Sequence, residues 1–420
     1  MSRRPSRDPR GEPKLSPPSP AGYRALGPYA RTRLVEKALG QTLALDVPAD
    51  VFATQRIDDG TLLLLQHLPD GEPRSVLDLG CGYGALGLPV AARFPRARAL
   101  LIDRDLLAVA AAAHNAAALG LGNVTVRPGL GYRGLGPHRD PDRDPRSGPD
   151  RGPGTGPRSG PDEAFDWVLC NVPARIGPKG VRYLIEGGRA LGDLRIVVIR
   201  DLQPQVDAVE GVRRVALGTR HAIYAADARR GPMPDDAAVY ARDQTGFLGL
   251  TLDRPHDASE DPTHAARLQV LADALPRAAP ASVLCFRAGY GALPLFAGRR
   301  WPGARVVAQD RDLLDTEFLR RNARALGLPV EVREALYPGQ GEFALVLGEL
   351  SPSAGAAVAA RELQETLALL APGGQALVLL SEKMEREWLP QAIPRGAQAA
   401  ILLRREGASV LRISRSRGSG

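Results

Sequence analysis

The sequence lacks most of what would mark a membrane, secreted or metal-bound protein. No uninterrupted apolar run reaches the ~18 residues of a membrane helix, and the N-terminus, MSRRPSRDPRGEPKLSPPSP, has no apolar stretch able to act as a secretory signal. The expectation is a soluble protein of the cytoplasm. Only three cysteines occur, Cys81, Cys170 and Cys285. An odd number with no metal-ligand spacing predicts neither a disulfide framework nor a metal site. Lysine is scarce beside arginine, so a genomic bias in base composition explains the basic balance as readily as selection for RNA does. The formal charge is +8, but five basic against two acidic residues fall in residues 1–20 and five against one in residues 404–420. Most of the excess is therefore assigned to tails, with a nearly neutral body. Such tails give salt-sensitive, non-specific RNA affinity at most.

A length of 420 residues and 44% apolar content suit two or three domains with sizeable cores. Residues 1–22, rich in Pro, Arg and Ser, are expected to be a disordered basic tail. A second segment of this kind, GPHRDPDRDPRSGPDRGPGTGPRSGPDE (136–163), reads as a low-complexity surface insertion. Elsewhere apolar strand-like runs alternate with Ala- and Leu-rich helical stretches. The first-half strands are SVLDL (75–79), ALLID (99–103), VTV (124–126), DWVLC (166–170) and RIVVI (195–199). A helix near 202–210 and the strand pair VRRVAL and HAIYAA follow. A parallel sheet closed by such a hairpin is the order of a class I methyltransferase rather than of most dehydrogenases.

The second half repeats these elements. SVLCFRAGYGALP, from Ser282, aligns without a gap on SVLDLGCGYGALG, from Ser75, and GYGAL, DRDLL and ALGL recur at matching places. Duplication of a whole domain accounts for this. The predicted fold is α/β, two tandem Rossmann-like domains of the class I methyltransferase type. Each has a seven-stranded mixed sheet, and the second is degenerate. The boundaries are a catalytic domain over 23–228 and a degenerate domain over 229–420, linked near ARRGPMPDD (228–236).

DLGCGYGALG puts Gly80, Gly82 and Gly84 in the bend between a strand and a helix, where the backbone must turn tightly and admit a ligand. The bend also satisfies a dinucleotide fingerprint, so a nicotinamide-dependent oxidoreductase is a rival. Asp78 argues against it, because a carboxylate there repels a pyrophosphate but suits the sulfonium and ammonium of S-adenosylmethionine. Asp103, ending the second strand, can accept both ribose hydroxyls of either cofactor. Arg104 and Asp105 read as a solvated strand end and a helix N-cap, with Arg104 still within reach of a cofactor. After the third strand no acid is available for an adenine amine, which leaves backbone around Gly129 for that task.

FDWVLCNVPARIG (165–177) ends the fourth strand at the edge where ligands collect. The carbonyl of Asn171 and a neighbouring main-chain carbonyl can each accept a proton from an exocyclic amine. Together they aim its lone pair at a methyl carbon. The plainer alternative is a turn before Pro173.

VFATQRIDDGTLLLLQHL (51–68), VLDLGCGYGALGLPVA, NVPARIG and GVRYLIEGGRAL together resemble the small-domain methyltransferases of the RsmC and RlmG type, over about residues 45–226. The resemblance implies transfer to guanine N2 of ribosomal RNA with S-adenosylmethionine as cofactor. It lays Asp59, Gly60 and Thr61 over the methionine end of the cofactor. It makes Asn171 and Pro173 catalytic and Val172, Pro173 and Arg175 substrate-binding, where the family has Asn-Pro-Pro-Phe. Val172 replaces the first proline and Ala174 the aromatic that would stack on a flipped base, so guanine as the target is less firmly implied than methyl transfer. A protein glutamine, a small-molecule amine, or a non-catalytic RNA-binding assembly role remain alternatives. In the second copy, Cys285 stands for Asp78, Arg287 for Gly80 and Glu349 for Asn171. That copy is expected to bind no cofactor and to serve as a packing partner or RNA platform.

Overall fold

The computed structural model describes residues 26–51, 56–133, 135, 164–229, 239–256, 264–338 and 340–416. The predicted tail, the insertion over 136–163 and most of the linker lie outside these residues.

Each copy opens with a β-hairpin. In the first, β1 (Ala30–Ala38) and β2 (Gln41–Pro48) turn through Leu39 and Gly40 at φ 49° and 76°. Then follow α1 (Asp59–Leu65), β3 (Ser75–Leu79), α2 (Gly87–Arg93), β4 (Arg98–Asp103), α3 (Leu106–Ala118), β5 (Val124–Pro128) and β6 (Trp167–Asn171). The copy closes with α4 (Gly177–Leu191), β7 (Asp193–Ile199), α5 (Gln203–Asp207), β8 (Arg213–Leu217) and β9 (His221–Ala226). Its seven-stranded sheet runs β5-β4-β3-β6-β7-β9-β8, parallel except for β9, which is antiparallel to both β7 and β8. The central strands are mostly apolar because helices cover both faces; in β3 every residue is buried, Asp78 included.

The second copy repeats the plan. It comprises the hairpin β10 (Ala241–Phe247) and β11 (Leu250–Pro255), α6 (His264–Asp273), β12 (Ser282–Phe286), α7 (Ala292–Arg300), β13 (Arg305–Asp310), α8 (Leu313–Ala325) and β14 (Val330–Glu334), with β15 (Phe343–Glu349), α9 (Ala356–Ala368) and β16 (Leu370–Ser381) after them. Two short helices, α10 (Glu382–Glu387) and α11 (Leu389–Ala392), precede β17 (Ala397–Arg405) and β18 (Ala408–Arg415). The sheet order, β14-β13-β12-β15-β16-β18-β17, matches the first. Register fixes the equivalences: Asp78 sits opposite Leu169 and Cys285 opposite Leu347, so two residues on Glu349 falls where Asn171 does.

One expectation needs correcting. The basic stretch beginning at Arg404 is not a tail, since it belongs to β17 and β18, where Arg404 pairs with Glu385 at 2.6 Å and Arg405 with Asp273. Both acids stand on helices, Glu385 on α10 and Asp273 at the end of α6.

The copies share a core. Leu314 and Phe318 of α8, 2% and 1% exposed, pack with Leu79, Ile102 and Tyr132 of the first copy. At the rim of this contact the two DRD motifs meet face to face. Arg104 pairs with Asp312 at 3.3 Å and Arg311 with Asp105 at 3.1 Å, and main-chain bonds run from Leu106 N–H to the Arg311 carbonyl and from Leu313 N–H to the Arg104 carbonyl. One self-complementary motif thus serves both sides, as at a two-fold interface.

Candidate active site

A cavity of about 990 Å³ opens at the carboxyl edge of the first sheet. That is the upper end of the ~300–1,000 Å³ range of ligand sites, and the edge is where ligands bind in such folds. The bend after β3 forms its floor. Gly80 and Cys81 donate their N–H groups to the Ile102 carbonyl at 2.8 and 3.0 Å, which ties the bend to β4. Gly80 is left-handed, at φ 75°, and nothing lies within 4 Å of where its Cβ would stand. A side chain there would project into open space, so a ligand can lie against the backbone. Gly82 is open in the same way, whereas Gly84 is turned against Leu88 behind the bend.

Two acids meet the cavity from the strand ends. Asp78 is 1% exposed; its Oδ2 accepts the Gly87 N–H at 2.7 Å, and its Oδ1 is buried with no hydrogen-bond partner among the described residues. Burial raises its pKa to about 7, against the pull of the Gly87 N–H and with help from the Asp103 charge. Asp103 accepts the Gly82 N–H at 2.8 Å on one oxygen and the Asp105 N–H at 2.9 Å on the other, and burial pushes its pKa up as well. Each Asp103 oxygen keeps a lone pair for a further donor. Tyr83, within the GYGAL run that the sequence marked only as repeated, also lines the cavity, with a buried hydroxyl that has no partner among the described residues.

Arg104 does border the cavity, but it is not a solvated strand end: it is about a quarter exposed and paired with Asp312. Asp105 caps α3 as expected, accepting the Leu107 N–H at 2.9 Å. Gly129 lines the wall and spends its own N–H on the Asp103 carbonyl at 2.9 Å. The main chain from Gly129 to Gly131 stands beside it on the same wall.

At the end of β6 the Asn171 side chain is pinned from one side. Its Nδ2 donates to Asp58 Oδ2 at 3.1 Å and to Thr61 Oγ1 at 3.0 Å, which leaves Oδ1 without a partner among the described residues. The same Asp58 oxygen accepts the Gly60 and Thr61 N–H groups, capping α1, and His221 Nε2 stands 4.0 Å from it. The sequence pointed to Asp59, yet the structure brings Asp58 to the wall. Asp59 turns outward to Arg56 and Arg220, and Gly60 is buried against Asp58 and His221. The signal that finds Asp58 is the N-cap pattern, an Asp whose carboxylate meets the N–H groups two and three residues on. Val172 is buried, with its N–H bound to the Val197 carbonyl, while Pro173, Ala174 and Arg175 are exposed at the mouth.

The equivalent place in the second copy is built differently. Arg287 takes the left-handed conformation of Gly80, at φ 50°, and its guanidinium pairs with Asp50 at 3.2 Å and Glu362 at 2.7 Å. Cys285 is buried where the acid would be, and Glu349 is held by His264 at 2.8 Å and Arg267 at 3.4 Å. The Phe286 ring closes on Gly348 so tightly that a Cβ there would meet it at 2.1 Å.

The pattern that defines the methyltransferase small domain matches residues 43–137, and these carry the glycine bend, Asp78, Asp103 and Gly129. Curated relatives align over short segments of the chain. The ribosomal RNA small subunit methyltransferase C of Hahella chejuensis is 43% identical over 90 residues, 21% of this chain and 26% of that protein. The Pseudomonas entomophila protein of that name is 50% identical over 72 residues, 17% of this chain and 21% of its own length. The ribosomal RNA large subunit methyltransferase G of Pseudoalteromonas atlantica is 43% identical over 67 residues, 16% and 17% respectively. The matched segment thus spans no more than about a quarter of these relatives. Over the whole fold, a T. thermophilus 16S rRNA N2 methyltransferase, solved with AdoMet and guanosine, superposes with a TM-score of 0.61 at 19% identity, covering 93% of this chain and 100% of its own. The segment over residues 43–137 is therefore similar to the methyltransferase small domain, and the tandem fold is similar to that of the T. thermophilus structure.

Proposed function

We propose that the first copy is an S-adenosylmethionine-dependent methyltransferase that modifies an exocyclic amine of an RNA base, guanine N2 of ribosomal RNA. The observation that carries the reading is the pinned amide of Asn171. Because Asp58 and Thr61 both accept from Nδ2, the carbonyl oxygen is the atom offered to the cavity. It can only accept, so it selects a substrate N–H.

The residues present fit the cofactor. The unpartnered Asp78 Oδ1 suits an ammonium, the open backbone at Gly80 and Gly82 leaves a cradle, Asp103 has lone pairs for ribose hydroxyls, and the Gly129–Gly131 main chain offers polar groups to an adenine. An acid buried under the glycine bend opposes a pyrophosphate, which disfavours a nicotinamide cofactor. When bound, S-adenosylmethionine supplies a methyl group on a sulfonium, an electrophile. Asn171 Oδ1 accepts a hydrogen bond from one N–H of the amine and the Val172 carbonyl from the other, which aims the nitrogen lone pair and raises its electron density; the nitrogen–methyl bond forms as the sulfur–methyl bond breaks, and the one surplus N–H proton leaves to solvent. Positioning of this kind supplies much of the acceleration such a displacement needs. Pro173 fixes the main chain behind the Val172 carbonyl, and Arg175 at the exposed mouth meets the RNA backbone. The reading puts the protein in the cytoplasm with its substrate. Among the described residues no helix is long and apolar enough to cross a membrane.

The test is methylation of ribosomal subunits from a strain lacking the gene, with labelled cofactor and mass-spectrometric mapping of the modified nucleoside. Label in N2-methylguanosine of one RNA is expected. Label in a protein glutamine or a small amine would keep methyl transfer and reject the RNA, and no transfer to any acceptor would reject the activity.

A further inference from the structure

In each copy an asparagine of the sheet-flanking helix binds the main chain of the N-terminal hairpin. Asn115 accepts the Asp46 N–H and donates to the carbonyls of Asp46 and Tyr83, and Asn322 does the same with Asp253 and Tyr290. At the base of each hairpin the flanking residues are tied by one main-chain bond, from Ala49 N–H to the Tyr29 carbonyl and from His256 N–H to the Tyr240 carbonyl, both 2.7 Å. These bases reach across to the other copy. Tyr29 donates to Glu362 at 3.0 Å and Asp50 pairs with Arg287 and Arg311, so the base of the first hairpin plugs the worn site of the second copy. The base of the second hairpin, Tyr240 and His256, lines the live cavity of the first.

The ring of His256 lies against Gly177, the first residue of α4, and a Cβ at 177 would stand 2.5 Å from its Cε1. It is thus held beside the loop that runs on from Asn171. That loop, Val172-Pro173-Ala174-Arg175, has no aromatic side chain to hold a planar base against the Asn171 carbonyl. Of the aromatic rings on the cavity wall among the described residues, Tyr83, Tyr240 and His221 are buried, whereas His256 is half-buried and presents part of its ring.

We propose that His256, delivered by the second copy, is the stacking surface for the substrate base in the first copy's cavity. The worn copy then forms part of the substrate site. This rests on the base-methyltransferase reading.

The experiment compares full-length protein, His256→Ala and His256→Phe in steady-state methylation of ribosomal RNA, with a calorimetric titration of S-adenosylmethionine for each. His256→Ala is expected to raise KM for RNA about tenfold, in the range for loss of one stacking partner, with cofactor affinity within about twofold of wild type. His256→Phe is expected to recover most of the loss, because a phenyl ring stacks without the imidazole nitrogens. An unchanged KM in His256→Ala, no recovery in His256→Phe, or a parallel fall in cofactor affinity would overturn the proposal. Wild-type protein that binds the cofactor and methylates no RNA would instead remove the reading beneath it, and the proposal with it.

Discussion

Asp78 joins a pKa near 7 to an unpaired, buried oxygen at the cavity. A bound ammonium favours the ionised carboxylate, so below pH 7 binding must expel a proton. Affinity for S-adenosylmethionine is therefore expected to fall by up to about tenfold per pH unit below 7 and to level off above it. Calorimetry in buffers of differing ionisation enthalpy checks this, since the proton released at pH 6 appears in the apparent enthalpy. Asp58 acts one step further from the substrate, by fixing which face of the Asn171 amide looks into the cavity. Asp58→Ala should lower kcat about tenfold with little change in cofactor affinity. Asn171→Ala should lower it about a hundredfold, and the double variant should be no worse than Asn171→Ala, as for groups that act as a unit. Single-turnover rates read all three. Asp78, Asp103 and Asn171 were legible in the sequence because strand ends beside a glycine bend constrain what can stand there. The choice of Asp58 over Asp59 was decided by the start of α1, and only the capping pattern distinguishes the two.

The central strands were legible because their short runs are mostly apolar and alternate with longer helical stretches. The two hairpins, β1–β2 and β10–β11, were not. Their turns are Leu39-Gly40 and Leu248-Gly249, with leucine at φ 49° and 48°, where the usual signal is Asn-Gly or Asp-Gly. Along β1 the burial follows no strict alternation, since Arg, Glu and Lys are interleaved with few buried positions. Beside their apolar packing, each hairpin is bound by an asparagine distant in sequence. Asn322→Ala leaves the part-buried Asp253 main-chain groups and Tyr290 carbonyl without their partner and should cost about 1–2 kcal/mol in urea denaturation. If the hairpin is the arm that brings His256 to the cavity, the same variant should also weaken RNA methylation.

Across the whole molecule, the duplication could be read from aligned residues, but the way the copies face each other could not. DRDLL looked like a strand end and a helix cap in each half. Only their apposition shows Arg104 and Arg311 crossing to Asp312 and Asp105. The same holds for Phe318, an ordinary helix residue in the sequence that is 1% exposed in the core of the other copy. Phe318→Ala should cost about 3–5 kcal/mol and, by loosening the joint beneath the cavity, should lower cofactor affinity although the residue touches no ligand. Thermal unfolding and calorimetry on one preparation check both. The central claim is that one of two homologous copies keeps a cofactor site. Titration of the full-length chain with S-adenosylmethionine tests it most directly. One site per chain, weakened at least about tenfold by Asp78→Asn, is the predicted result; two sites, none, or one that Asp78→Asn leaves untouched would contradict it.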